Sequence, residues 1–105
     1  MVATLANLRM GLEFGIYRNH RWYYDCVDTE DVAAINTSGF FDGLGALGGQ
    51  IGDEILVTHW ATLPTGGHPP VGATFTRTLF QVVSITAADV VDVSNGDART
   101  MTDSD

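Results

Sequence analysis

Lysine is absent from this chain, and cysteine occurs once. All five basic side chains are arginines, set against 13 carboxylates, for a net charge of −8. That balance excludes binding built on basic contacts to phosphate, so no nucleic-acid partner is expected. It excludes a polybasic membrane anchor for the same reason. The single Cys26 rules out an internal disulfide and a multi-cysteine zinc centre, and it leaves the redox compartment unread. No apolar run approaches the roughly 20 residues that span a bilayer, so no membrane partner is expected. The opening MVATLANLRMG also lacks the basic start and apolar block of a signal peptide.

What remains suits one domain of 105 residues. Hydrophobic residues make up 45% of the chain and the mean hydropathy is +0.09, enough for one modest core. The residues group into an N-terminal arm (1–11), a β domain (12–93) and a polar, acidic tail (94–105). The arm alternates weakly through Val2, Leu5, Leu8 and Met10, so a strand there is the alternative. Leu12 to Tyr17 reads as a strand with Leu12, Phe14 and Ile16 on one face. A turn is expected at Arg18–His20, followed by a second strand over Arg21–Val27 and hence a hairpin. Trp22, Tyr24 and Cys26 then share one face, and Tyr23, Asp25 and Val27 the other. Further strands are expected over Glu54–Trp60, Thr74–Ile85 and Asp89–Val93. The middle one changes register near Gln81–Val83. All three prolines fall in Ala61–Ala73, which reads as a loop. The pattern implies a mainly β fold, a small barrel or sandwich with one short helix over about residues 29–38.

That helix explains the densest acidic cluster, DTED at Asp28–Asp31. Asp28 or Thr29 suits the N-cap, and Glu30 with Asp31 suits the positive end of the helix. Val32, Ala33 and Ile35 supply an apolar stripe, and Gly39 the left-handed stop. A calcium loop needs oxygen ligands at alternate positions around a glycine, a spacing these residues lack. Gly43-Leu44-Gly45-Ala46-Leu47-Gly48 matches G-x-G-x-x-G literally. A dinucleotide site needs that motif between a strand and a helix, with an acid about 20 residues on. Here it follows a helix and lacks the acid, so it reads as a loop. Cys26 with His20, His59 or His68 would make a nucleophilic pair only if the fold brought them together. No metal-type spacing links the histidines. No cofactor is expected, and catalytic and metal residues are expected to be absent. Trp22, Tyr23, Tyr24 and Trp60 read as core plus interface. Arg9, Arg18 and Arg21 form a docking patch or pair with the chain's own acids.

Tyr24-Asp25-Cys26-Val27-Asp28, then Val32–Ile35, then Gly39-Phe40-Phe41 make a recurring order. Leu47, Gly52-Asp53-Glu54-Ile55-Leu56-Val57 and Phe80–Thr86 continue it. This order resembles small virion proteins of tailed phages, of the capsid decoration (cement) type. The resemblance spans Tyr24–Val91, about two-thirds of the chain. The long Ala61–Ala73 loop and the long glycine stretch depart from it. The resemblance implies a structural, non-enzymatic protein on the outer capsid surface of the virion. Its partner would be the major capsid protein, with self-association as a trimer or dimer adding avidity. The arm and its neighbours, Leu5, Leu8, Arg9, Met10, Arg18, Arg21 and Trp22, are then the expected partner-binding residues. The alternative is a tail or fibre-base protein touching glycans through Trp22, Tyr23 or Trp60. A remoter one is a small metal-dependent hydrolase using Asp28, Asp31 and a histidine.

Overall fold

Alternation of β-branched and aromatic residues with polar ones drives this chain into strands, and six are present among the described residues. They are β1 (Leu8–Phe14), β2 (Asn19–Val27), β3 (Glu54–Trp60), β4 (Phe75–Ile85), β5 (Val91–Val93) and β6 (Asp97–Arg99). The computed structural model describes residues 3–27, 35, 39–62, 69, 71–94 and 97–99. The strands form one mixed sheet in the order β1-β2-β3-β4-β5, with β6 also paired to β4. The sheet stays open, with β1 at one edge, so the mainly β expectation holds without closure into a barrel.

The β1–β2, β3–β4, β4–β5 and β4–β6 pairs are antiparallel, whereas β2 and β3 run parallel. A parallel pair requires a long crossover between its strands. The stretch between Val27 and Glu54 supplies it, and its described residues also bring apolar side chains to the core. Ile35, Phe40, Phe41 and Leu44 from this crossover are buried with Leu8, Trp22, Tyr24, Cys26, Ile55, Val57 and Phe80 from the sheet. Tyr24 sits edge-on to Phe40 and Phe41 at centroid distances of 6.1 and 5.4 Å, and the two phenylalanines meet edge-on at 5.0 Å. Such aromatic contacts add to the area term by about 0.5–1.5 kcal/mol each. Burial of Trp22, Tyr24 and Cys26 with exposure of Tyr23 and Asp25 follows the period-two expectation for β2.

Several boundaries differ from expectation. The N-terminal segment is not a free arm. Ala3 N–H donates to the Phe40 carbonyl, Thr4 N–H donates to the Tyr24 hydroxyl, and Leu5–Asn7 forms a 3-10 turn. Leu8 then enters the core as the first residue of β1, because it stands opposite Tyr24. The hairpin turn lies at Gly15–Arg18 and not at Arg18–His20, since Asn19 and His20 are drawn into β2 by hydrogen bonds to Asp53. The acidic tail contributes β6, which extends along the same edge of β4 as β5. The register break near Val83 is present, between Val82 and Ser84. The expected helix over 29–38, with the Asp28–Asp31 cap, lies outside the described residues except for Ile35, which is helical and buried.

Candidate contact surface

Three sequence candidates resolve into structural roles. In the glycine motif, Gly45–Leu47 forms a 3-10 turn whose free N–H groups are already occupied. Gly45 N–H and Ala46 N–H donate to the two carboxylate oxygens of Asp89 at 3.0 and 3.1 Å. A side chain of the chain itself thus stands where a phosphate would stand in a nucleotide site. Asp89 takes a left-handed backbone (φ 60°) to reach them, which brings the β4–β5 connection against the crossover.

The fold does bring Cys26 and His59 together. Cys26 Sγ lies 3.6 Å from His59 Nδ1, and His59 Nε2 lies 3.4 Å from Thr78 Oγ1. The three groups cross β2, β3 and β4 on the core side, and all are buried. His20 is not part of this set: its Nε2 lies 3.7 Å from Glu13 Oε2, near the hairpin. His68 lies outside the described residues. A thiol and imidazole sealed in the core satisfy each other's polar atoms. Among the described residues, no three His, Cys, Asp or Glu side chains gather to hold a metal ion. No helix of the described residues is long and apolar enough to cross a membrane.

The most demanding polar site is Asp53, which has no exposed surface. Its Oδ1 accepts from Asn19 Nδ2 (2.9 Å) and His20 N–H (3.0 Å). Its Oδ2 accepts from Trp22 Nε1 (2.8 Å) and Gln50 N–H (3.0 Å). Burial by itself would raise the carboxyl's pKa. The four donors outweigh it, and the group sits below its ordinary value. Asp53 ties the entry of β3 to the start of β2 and so fixes the base of the β1–β2 hairpin. Asn19 Nδ2 adds a second bond there, to the Ile51 carbonyl at 3.0 Å.

Beyond that base the hairpin runs past the end of β3, which starts opposite Arg21. Leu12, Ile16 and Tyr17 are 84%, 86% and 78% exposed there, with Phe14 half-exposed beside them. The sequence pattern groups Leu12, Phe14 and Ile16 on one face of a strand over Leu12–Tyr17, but β1 ends at Phe14 and Ile16 and Tyr17 fall in the turn. Of the residues expected to contact a partner, Leu8 and Trp22 are withdrawn into the core, Trp22 with its indole N–H on Asp53. Leu5 and Met10 remain partly exposed. Each of the three arginines has partners within the chain. Arg18 stands at the hairpin turn, 3.9 Å from Glu13. Arg9 turns back to the carbonyls of Ala6 and Leu8. Arg21 donates through Nε and Nη2 to Glu54 Oε1 at 3.0 and 2.7 Å.

The sheet face away from the core is aromatic and mixed in charge. By register, Tyr23, Leu56 and Leu79 form one row, with Trp60 beside Phe75 further along. Trp60 and Phe75 have centroids 5.1 Å apart, and the Arg77 guanidinium carbon lies 4.4 Å above the Phe75 ring. Trp60 is buried and donates its indole N–H to Asp25 Oδ1 at 2.8 Å. With Trp22 also buried, the three aromatics suggested for glycan stacking reduce to Tyr23.

The fold and this surface describe a small open β-sheet domain with a projecting apolar hairpin. No protein-family model matches the chain, and no curated protein or solved structure matches it significantly.

Proposed function

We propose that this chain is a structural binding module of a tailed-phage particle, a decoration protein that seats on the assembled major capsid shell and stabilises it. The observation that carries the reading is the projecting β1–β2 hairpin. Its Leu12, Ile16 and Tyr17 side chains stand in solvent and serve no core. Large exposed apolar groups gathered on one element mark a contact site. The order of motifs from Tyr24 to Val91, similar to small phage virion proteins, supplies the identity of the partner. The proposal assigns the chain no catalytic step and no cofactor. Self-association as a trimer or dimer belongs to the same reading, because repeated weak contacts on a symmetric shell gain strength through avidity.

The test is co-sedimentation of the purified protein with empty shells of the major capsid protein encoded by the same genome. A heat-release assay on particles with and without the protein accompanies it. Saturable binding and a raised release temperature are expected. Shells that neither bind the protein nor gain stability would refute the reading, and gold labelling at the tail would move the protein to the tail or fibre base.

A further inference from the structure

Resting on that reading, we infer that the hairpin tip is the anchor of the interaction: Ile16 and Tyr17 enter an apolar cleft on the shell, and Arg18 meets a carboxylate at its mouth. Turn chemistry motivates this. Arg18 N–H donates to the Gly15 carbonyl at 3.3 Å, which makes Ile16 and Tyr17 the central residues of the turn. Such positions favour Gly, Asn, Asp, Pro or Ser, because those residues meet the backbone demands of the turn at the surface. A β-branched residue followed by a tyrosine contributes nothing to a solvent-exposed turn. Arg18 also holds a left-handed backbone (φ 57°), which a non-glycine residue seldom adopts. A local rule broken without gain to the fold marks a functional position.

The base of the hairpin is built for rigidity. The Asp53 carboxylate grips Asn19 and His20 where β2 begins, and Asn19 also binds the Ile51 carbonyl. The strand that leads out of the tip is thus fixed at its base, which lowers part of the ordering cost of binding. An aromatic, an aliphatic and an arginine on one rigid projection match the composition of interface hot spots.

Area and charge select the occupant. The exposed side chains of the tip offer a few hundred Å², and two tips meeting end to end would fall well short of the roughly 1,200 Å² of a stable interface. Such a pairing would also bring together two chains of net charge −8 and set one Arg18 against another. A concave partner covers the projection on all sides and avoids both penalties. Arg18 is four-fifths exposed, and its pair with Glu13 is a long, solvent-exposed one at 3.9 Å, of the weak kind that a partner carboxylate can replace.

The experiment uses the full chain and the same empty shells. Ile16→Ser/Tyr17→Ser is expected to melt as the parent does and to bind shells about 30-fold more weakly or worse, the scale of a lost hot spot. Arg18→Glu is expected to slow association and flatten its salt dependence, with Arg18→Lys close to the parent. Parent-like binding by the double variant, while the parent itself binds, overturns the anchor and leaves the decoration reading standing. Failure of the parent to bind shells overturns both. In a parallel arm, vesicles of phosphatidylcholine and phosphatidylglycerol are sedimented with both proteins. Capture of the parent but not the double variant would assign the tip to a lipid surface and overturn the inference.

Discussion

Replacing Asp53 by alanine should remove the anchor of both the sheet and the hairpin. The carboxylate is fully buried and accepts four hydrogen bonds. Its loss leaves the Trp22 indole N–H, which lies in the core, without an acceptor, at about 2 kcal/mol. Asn19, His20 and Gln50 sit nearer the surface, where water restores part of each bond, so each adds roughly 0.5–1 kcal/mol. The total is about 4 kcal/mol, against the roughly 5–15 kcal/mol that holds a domain together. With a urea slope of roughly 1.5 kcal/mol per M, the unfolding midpoint should fall by about 2–3 M. The pH dependence gives an independent check. The folded pKa lies below the ordinary value of 3.8, so the stabilisation is complete above that value and is lost as pH falls through the folded pKa. Asp53→Asn, which cannot ionise, should lose that acid-side slope and be less stable than the parent at neutral pH. A midpoint shift under about 0.5 M for the alanine variant, or an unchanged acid slope for the asparagine variant, would refute the role given to Asp53.

Other changes follow from close contacts. A methyl at Gly11 would lie 2.3 Å from Tyr23 Cε2 and 2.5 Å from the Arg21 carbonyl oxygen, so Gly11→Ala should part β1 from β2. A cost of about 1–3 kcal/mol by thermal melting is expected. Asp89→Ala frees the Gly45 and Ala46 N–H groups and should cost about 1–2 kcal/mol, read as a lower urea midpoint. Cys26 is buried against His59, so a thiol reagent should react slowly with the native protein and fast in urea; fast native labelling would contradict a sealed core.

The strands were readable because their causes are local. Glu54–Trp60 coincides with β3, and the faces of β2 follow from alternation alone. The parallel pairing of β2 with β3 left no local mark, because it depends on how the crossover packs. Period two also shows which side chains share a face without showing whether anything covers that face. The pattern places Leu12 and Ile16 on one face, and both stand in water because the hairpin outruns β3. Trp22 goes the opposite way: its neighbours suggested an interface, while the buried carboxylate of Asp53, 31 residues away, claims its indole. Asp53 itself carried only the signal of a Gly-Asp turn. Its partners come from β2 and from the turn before β3, and no spacing rule joins them.

An exposed edge strand with apolar side chains ordinarily invites pairing with any other free strand. β1 carries the means to limit this. Its register breaks between Met10 and Glu13, which bends the outer row of N–H and C=O groups. Glu13 then places a charge on the edge near the tip, with Arg18 and His20 beside it. The net charge of −8 adds a general repulsion between copies. Ile16 and Tyr17 stand at the turn, where the backbone offers no ladder to extend, whereas Leu12 lies within β1, inside the stretch where its register breaks. Under the proposed anchoring, contact at the turn selects by shape, because a tip would reach into a cleft, whereas a strand edge accepts any other edge. This division permits one chain to carry Leu12, Ile16 and Tyr17 in water and still keep its edge from uncontrolled pairing. It also explains why the carboxylate with the most hydrogen bonds among the described residues lies at the base of the projection and not in the middle of the core. Under the proposed anchoring, the tip would select by shape only while Asp53 holds Asn19 and His20 at its base.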